Sequence, residues 1–361
     1  ILKKSPACRR YIQARFKYVF IDEYQDADTY TNELFLYLIK LGITGVAVGD
    51  ENQSIFGFAK KSSVYLKTLK DRNDFTAFKL SDNFRCSIPI INYSNRLLDS
   101  ESPVYKTEQD GVFLVKVNGS EKDISYFIDN KIDEIKNILS VDDNSEIAIL
   151  VRNERTQRII DESLSTPHRL VCTTKLDSDL NPRSRLYTLL LHFYFDERIS
   201  FLSILDGYVD YDMLSTFTKQ RLHEESEIIK SIPNEEMDEL IVHFKSIADI
   251  ILPKIQEGSS MLRLRDVLSN NKELESYKPL QSDEIQLMTL HKSKGLEFDI
   301  VFHLNMCEWE LPFKIIEDDD FNNPLYPNWE QDLNLHYVGV TRARKACFLV
   351  RGTQRTNSNY M

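Results

Sequence analysis

Two hydrophobic periods alternate along the chain. Short apolar runs that break off into polar residues predict buried strands. They are Val19-Phe20-Ile21 before Asp22-Glu23, Gly45 to Val48 before Gly49-Asp50, Ile147 to Val151 before Arg152, and Gln286 to Leu290 before a polar, basic turn. Between them, helices are expected around Glu33–Lys40 and Ser62–Lys70. Ile124, Phe127, Ile128, Ile132, Ile135, Ile138 and Leu139 recur at helical spacing and predict one long core-facing helix. Helical patterns dominate from about Pro182 to Glu275, punctuated by Pro233 and Pro253. Leu335 to Arg344 reads as the start of a further helix, with Arg342 on its first turns. Strand and helix in alternation imply an α/β fold with a parallel sheet. No repeats or low-complexity tracts interrupt it.

Composition narrows the picture. At 361 residues the chain exceeds the usual size of one core, so two or three domains are expected. A net charge of −11 argues against a nonspecific, histone-like nucleic-acid binder, which needs a broad basic face. A protein gripping one strand in a groove needs only local basicity. Cys8, Cys86, Cys172, Cys307 and Cys347 form no Cys-x-x-Cys pair and are odd in number. Free thiols in a reducing cytoplasm are expected, with neither disulfide nor metal role. No apolar run approaches the ~20 residues needed to cross a bilayer, so no membrane partner is expected.

The strand ends carry the candidate chemistry. A strand delivering adjacent carboxylates suits Asp22 as a Mg²⁺ ligand and Glu23 as a general base sharing the metal site; a solvated Asp-Glu pair is the bland alternative. Gln53, following Asp50, suits a sensor of a terminal phosphate. Phe56 and Phe58 can be a platform for stacked bases or plain core. Phe84-Arg85 can stack on a purine and reach a phosphate. Thr289-Leu290-His291-Lys292-Ser293-Lys294-Gly295-Leu296-Glu297 ends a strand in a turn with a glycine and a carboxylate. Arg152 could approach a nucleic-acid strand but reads as a solvated strand end, and the acidic segment Glu317-Asp318-Asp319-Asp320 reads as an exposed loop with a solvated face rather than a metal site.

In order, these segments resemble motifs II to VI of superfamily 1 helicases of the UvrD/Rep type, over residues 18 to 350. The resemblance implies RecA-like motor domains of the P-loop NTPase type, using ATP and Mg²⁺. It gives Asp22 and Glu23 the metal and water activation, and Gln53 the sensing of the γ-phosphate. Phe84 would stack on adenine, where the family usually has Tyr. Arg85 and Arg342 would contact the γ-phosphate, and Glu297, beyond Gly295, the ribose. Phe56, Phe58, Thr289 and His291 would touch single-stranded DNA, with Lys60 or Lys61 replacing the usual motif III contact. For His291, a structural role stays open beside that one. Closure of two motor domains on the strand would be driven by nucleotide.

The resemblance divides the chain. Residues 1–80 would be the C-terminal part of a first RecA-like domain, 81–181 the start of a second, 182–280 a helical insertion and 281–361 the remainder of the second. Departures from the pattern matter too. No Gly-x-x-x-x-Gly-Lys-Ser/Thr occurs, and the chain opens at Ile1 without Met. A fragment is therefore expected, inactive by itself, whose phosphate loop lies upstream. Ala59-Lys60-Lys61 replaces Arg-Gly-Ala, and Leu333-Asn334 replaces paired arginines. Ile1 to Ser5, Phe20 to Asp26 and the compact insertion further resemble helicase subunits of Gabija-type bacterial anti-phage systems. That implies a nuclease partner subunit and single-stranded, nicked or end-containing DNA. Two other readings stay open: a nuclease-regulating DNA or nucleotide sensor, and a small DNA-repair helicase.

Overall fold

The computed structural model describes residues 2–57, 61–317, 320 and 322–355. Phe58, Ala59 and Lys60 of the third motif, and Asp318 and Asp319 of the acidic segment, lie outside the described residues. The chain forms two compact units, residues 1–165 with 288–361, and residues 166–287.

In chain order the first unit opens with α1 (Pro6–Arg15), β1 (Tyr18–Ile21), α2 (Thr29–Lys40), β2 (Thr44–Ala47) and α3 (Val64–Lys70). It continues with α4 (Ile88–Leu98), β3 (Val112–Val117), α5 (Glu121–Leu139), β4 (Ile147–Val151) and α6 (Glu154–Ser163). The second unit holds β5 (His168–Leu170), α7 (Pro182–Phe195), α8 (Phe201–Leu205), α9 (Thr216–Ser231), α10 (Leu240–Ile251), α11 (Ser260–Leu268) and α12 (Asn271–Glu275). The chain re-enters the first unit within β6 (Ile285–Thr289), then adds β7 (Phe298–His303), α13 (Trp329–Thr341) and β8 (Ala343–Gly352).

Local chemistry sets the helix starts. Ser5 precedes Pro6 and accepts the Cys8 N–H at 3.3 Å, Asp28 accepts from Thr31 at 2.7 Å, and Asn153 accepts from Thr156 at 2.9 Å. Each bond satisfies a donor that the first helical turn leaves open.

β1 and β2 pair in parallel, Phe20 opposite Val46. Tyr24, Ala27, Phe35, Leu66 and Leu69 form the core beside them, with Val19 and Ile21 packed against it. Tyr18 and Phe20 are exposed, so β1 is not the buried strand its apolar run predicts. The cause is the two-residue period of a strand: this two-stranded ribbon has helices against one face, and alternate residues point to the other.

β3, β8, β7 and β4 form a parallel sheet in that order, with Val112 opposite Cys347, Val301 opposite Cys347, and Ile147 opposite Ile300. Every residue of β4 is buried, as a strand covered on both faces requires. Phe113, Phe348 and Phe302 stack across β3, β8 and β7 with centroids 4.8 and 5.1 Å apart. Ile124, Ile128 and Ile132 of α5 are buried, whereas Ile138 is exposed in its last turn.

Arg342 caps the C-terminal end of α13 rather than standing on the first turns of a helix. The apolar stretch from Leu335 is that helix's last two turns, and β8 follows at once. From Asp332 onwards nearly every residue of α13 is buried, so no amphipathic stripe marks where it begins.

Within the second unit, Leu186, Leu190, Phe244, Ile247, Leu264 and Val267 contribute to a helical core. Arg183, buried beside it, pairs with Asp249 at 2.7 Å and Glu257 at 2.8 Å. β5 pairs in parallel with the start of β6, Arg169 opposite Gln286. This unit begins before and ends after the helical span expected at 182–280.

Candidate nucleotide and DNA site

The site is built in the first unit, where the ends of β1 and β2 meet the turn after β6 and the end of α13. Asp22 and Glu23 leave β1 exposed. Glu23 takes a left-handed backbone, φ 52°, and its N–H donates to Asp22 Oδ1 at 2.8 Å. A left-handed non-glycine residue at such a place is strain of the kind found at functional sites.

Gln25 is fully buried and ties the two strand ends together. Its Nε2 donates to Glu23 Oε2 at 2.5 Å, and its Oε1 accepts the Asp50 N–H at 3.0 Å. Gly49 is required beside it, because a Cβ there would stand 2.5 Å from Gln25 Oε1 and 3.1 Å from the Tyr24 nitrogen. Asp50 in turn accepts from Gln53 Nε2 at 3.0 Å, aiming the other end of that amide at Arg342.

Arg342 is 1% exposed. Its Nη2 lies 3.4 Å from Gln53 Oε1, its Nη1 donates to the Leu296 carbonyl at 3.1 Å, and its Nε donates to the Val338 carbonyl at 3.2 Å. Among the described residues no carboxylate lies in ion-pair range of it. Burial first, and then the Arg85 cation, hold its pKa below the ordinary guanidinium range. Arg85 is exposed and pairs with Glu297 at 2.6 Å, which also meets Arg344 at 3.3 Å. Phe84, 94% exposed, carries its ring into solvent. Gly295 has φ +83°, a conformation that favours glycine in the turn leading to Glu297.

The candidate DNA residues divide. Phe56 and His291 face each other with centroids 5.9 Å apart, and Lys61 Nζ lies 5.1 Å from the Phe56 ring. Thr289 is buried at the end of β6. Burial, reinforced by Arg152, pushes the His291 pKa down to about 4, so the ring is neutral at pH 7. Arg152 pairs with buried Asp332 at 3.3 Å, so it is not the solvated strand end its position suggested. Asn334, where the motif commonly has arginine, donates instead to the Ser54 carbonyl at 3.2 Å, and Gln331 donates to Ile55 at 3.2 Å.

Sequence reasoning gave no role to Gln25, Asp26 or Lys294. Lys294 Nζ reaches Asp26 Oδ2 at 2.5 Å, the Gln53 carbonyl at 2.7 Å and Glu23 Oε2 at 3.4 Å. The basic turn after the strand was its visible signal. Its partners are more than 240 residues away in the chain, so spacing could not reveal them.

The donor set can be tested against the nucleotide and metal it would serve. No three metal-ligating side chains converge among the described residues. Mg²⁺ in phosphate sites takes one or two carboxylates and completes its shell from phosphate and water, which Asp22 and Glu23 suit. A buried guanidinium facing no carboxylate suits a phosphate anion. The residues therefore fit ATP with Mg²⁺.

Residues 1–75 match the UvrD/REP helicase N-terminal domain, and residues 207–353 match the UvrD-like helicase C-terminal domain. The chain is 26% identical to the Gabija protein GajB of Bacillus cereus, over 98% of the chain and 67% of that protein. It is 24% identical to the ATP-dependent DNA helicase Rep of Buchnera aphidicola, over 96% of the chain and 64% of the relative. For the ATP-dependent DNA helicase PcrA of Staphylococcus aureus the identity is 23%, over 98% of the chain and 57% of the relative. The chain thus spans between 57% and 67% of the length of these relatives. With both domain models matched in order, over residues 1–75 and 207–353, the chain belongs to the UvrD/Rep-like helicase family.

Proposed function

We propose that the chain is the greater part of an ATP-driven translocase or helicase acting on single-stranded or end-containing DNA. The observation that carries this reading is Arg342: a buried cation beside Gln53, close to Glu23, with no carboxylate in ion-pair range among the described residues. Desolvating a charge is unfavourable unless something compensates it, and an arriving phosphate does so.

ATP with Mg²⁺ would supply the phosphoanhydride. In this reading Asp22 would hold the metal, which would neutralise charge on the phosphates, and Glu23 would take the proton from water. Arg85 and Arg342 stabilise charge growing on the transferred group. Gln53, held by Asp50, fixes Arg342 against the phosphate side of the site. Phe84 covers the base, and Glu297 leaves its two arginines for the ribose. Phe56 and His291 form the stacking surface for a DNA strand.

The match to GajB along nearly the whole chain supports an anti-phage role in the bacterial cytoplasm, with a Gabija-type nuclease as partner. The Rep and PcrA matches keep a repair helicase as the second reading. Steady-state ATP hydrolysis by the whole protein, with and without single-stranded DNA, tests the motor. Strong DNA stimulation, lost in Glu23→Gln with nucleotide binding retained, is expected. Hydrolysis absent in both proteins would make the chain a regulatory subunit.

A further inference from the structure

Lys294 stands between the two halves of the proposed site. Its side chain is only 7% exposed, and its ammonium has three hydrogens to place. Two go to Asp26 Oδ2 at 2.5 Å and the Gln53 carbonyl at 2.7 Å, and Glu23 Oε2 lies within reach at 3.4 Å. The same nitrogen lies 5.4 Å from the centre of the Phe56 ring, close enough for a cation–π attraction. Asp26, itself 91% buried by its side chain's 9% exposure, leaves its Oδ1 without a hydrogen bond. The negative charge on Asp26 is therefore balanced through Lys294.

We infer that Lys294 is a positioning residue that transmits stacking at Phe56 to the carboxylate of Glu23. This rests on the reading of Glu23 and Phe56 proposed above. Phe56 and Gln53 lie three residues apart on one short segment, so moving the ring also moves the carbonyl that holds Lys294. A base stacked on Phe56 competes for the ring face or shifts that segment. Either change resets how the ammonium divides between Asp26 and Glu23. With Lys294 drawn to Asp26, Glu23 keeps its Gln25 bond but is released from the ammonium to act on water; with Lys294 on Glu23, it is held. No covalent step is assigned to Lys294.

The test measures ATP hydrolysis by the whole protein against a thymidine oligonucleotide, in wild type, Lys294→Met, Lys294→Arg, Phe56→Ala and the Phe56→Ala/Lys294→Met double variant. Lys294→Met, in which no ammonium can hold or release Glu23, is expected to lower the ratio of DNA-stimulated to DNA-free kcat about tenfold or more while KM for ATP and oligonucleotide affinity stay within about threefold. Lys294→Arg should recover much of the loss, and the double variant should fall no lower than Lys294→Met, since coupled residues are not additive. Should Lys294→Met fail to fold with Asp26 unbalanced, Asp26→Asn/Lys294→Met against Asp26→Asn gives the same comparison. Wild type stimulated by DNA with Lys294→Met stimulated equally overturns this inference alone. So does a double variant whose losses add. Wild type without stimulation overturns it together with the motor reading.

Discussion

Arg342 Nη2 lies 3.4 Å from Gln53 Oε1, so the last residue before β8 faces the turn after β2 across 289 positions of sequence. The pair makes a testable trade of stability against activity. Replacing Arg342 by Met removes a buried, weakly compensated charge, so stability should hold or rise by up to about 1 kcal/mol. DNA-stimulated kcat should fall by roughly 10² to 10³, the range for removing one donor from a developing charge. Thermal melts beside single-turnover hydrolysis check both halves; a large loss of stability would mean that Arg342 serves the core.

Phe56 offers a ring flanked by His291, Lys61 and Lys294. Truncation to Ala should weaken binding of a thymidine oligonucleotide by about 1 to 3 kcal/mol, the usual range for one stacked base. The loss should be nearly independent of salt, because no phosphate contact is removed. Fluorescence anisotropy at two salt concentrations decides it, and a steeper salt effect in wild type than in the variant would assign the loss to charge.

Glu297 sits between Arg85 and Arg344 at 2.6 and 3.3 Å, with about two fifths of its side chain exposed. Surface ion pairs of this kind contribute little, so Glu297→Ala should shift stability by less than about 1 kcal/mol. If Glu297 instead meets the ribose during turnover, KM for ATP should rise several-fold with kcat little changed, a loss of uniform binding. Unchanged KM in a steady-state titration would restrict Glu297 to tethering Arg85.

What the residues disclosed beforehand depended on distance along the chain. The carboxylates of Asp22 and Glu23, and the fully buried β4, follow from local runs whose polarity changes abruptly at a strand end. The long helix α5 follows from a clear 3.6-residue period. Arg342 was legible as a residue but not as a helix end, because α13 is buried almost all round and its apolar pattern has no polar face. β1 reads as buried because the pattern cannot say which faces acquire a covering helix. Lys294 with Asp26, and Gln25 with Asp50, could not be read at all. Each pair is made by tertiary folding between segments that share no spacing rule, and those pairs fix the geometry of the site.

A buried chain of hydrogen bonds pins the helix that ends in Arg342. His303 Nε2 meets His336 Nδ1 at 3.1 Å, and His336 Nε2 meets the Tyr93 hydroxyl at 2.9 Å. Gly339 lets α13 approach so closely that a Cβ there would lie 2.7 Å from the His303 ring. Burial drives His303 from 6.5 down to about 3, with His336 adding to the effect, and drives His336 down to about 4. Tyr93, pushed up to about 12 by burial, stays neutral throughout. Above pH 6.5 both imidazoles are neutral folded or unfolded and pH has no hold on them. Below it the unfolded chain takes up protons that the folded chain refuses, so stability falls as pH drops toward 4, by about 1.4 kcal/mol per unit for each group. Urea midpoints at pH 7.5, 6.0 and 5.0 should therefore decline in wild type. His336→Gln, which starts from a lower midpoint but removes one of the two groups, should decline less steeply. Parallel slopes in the two proteins would show that protons enter elsewhere, and the pairing of His303 with His336 would then be packing without a pH dependence of its own.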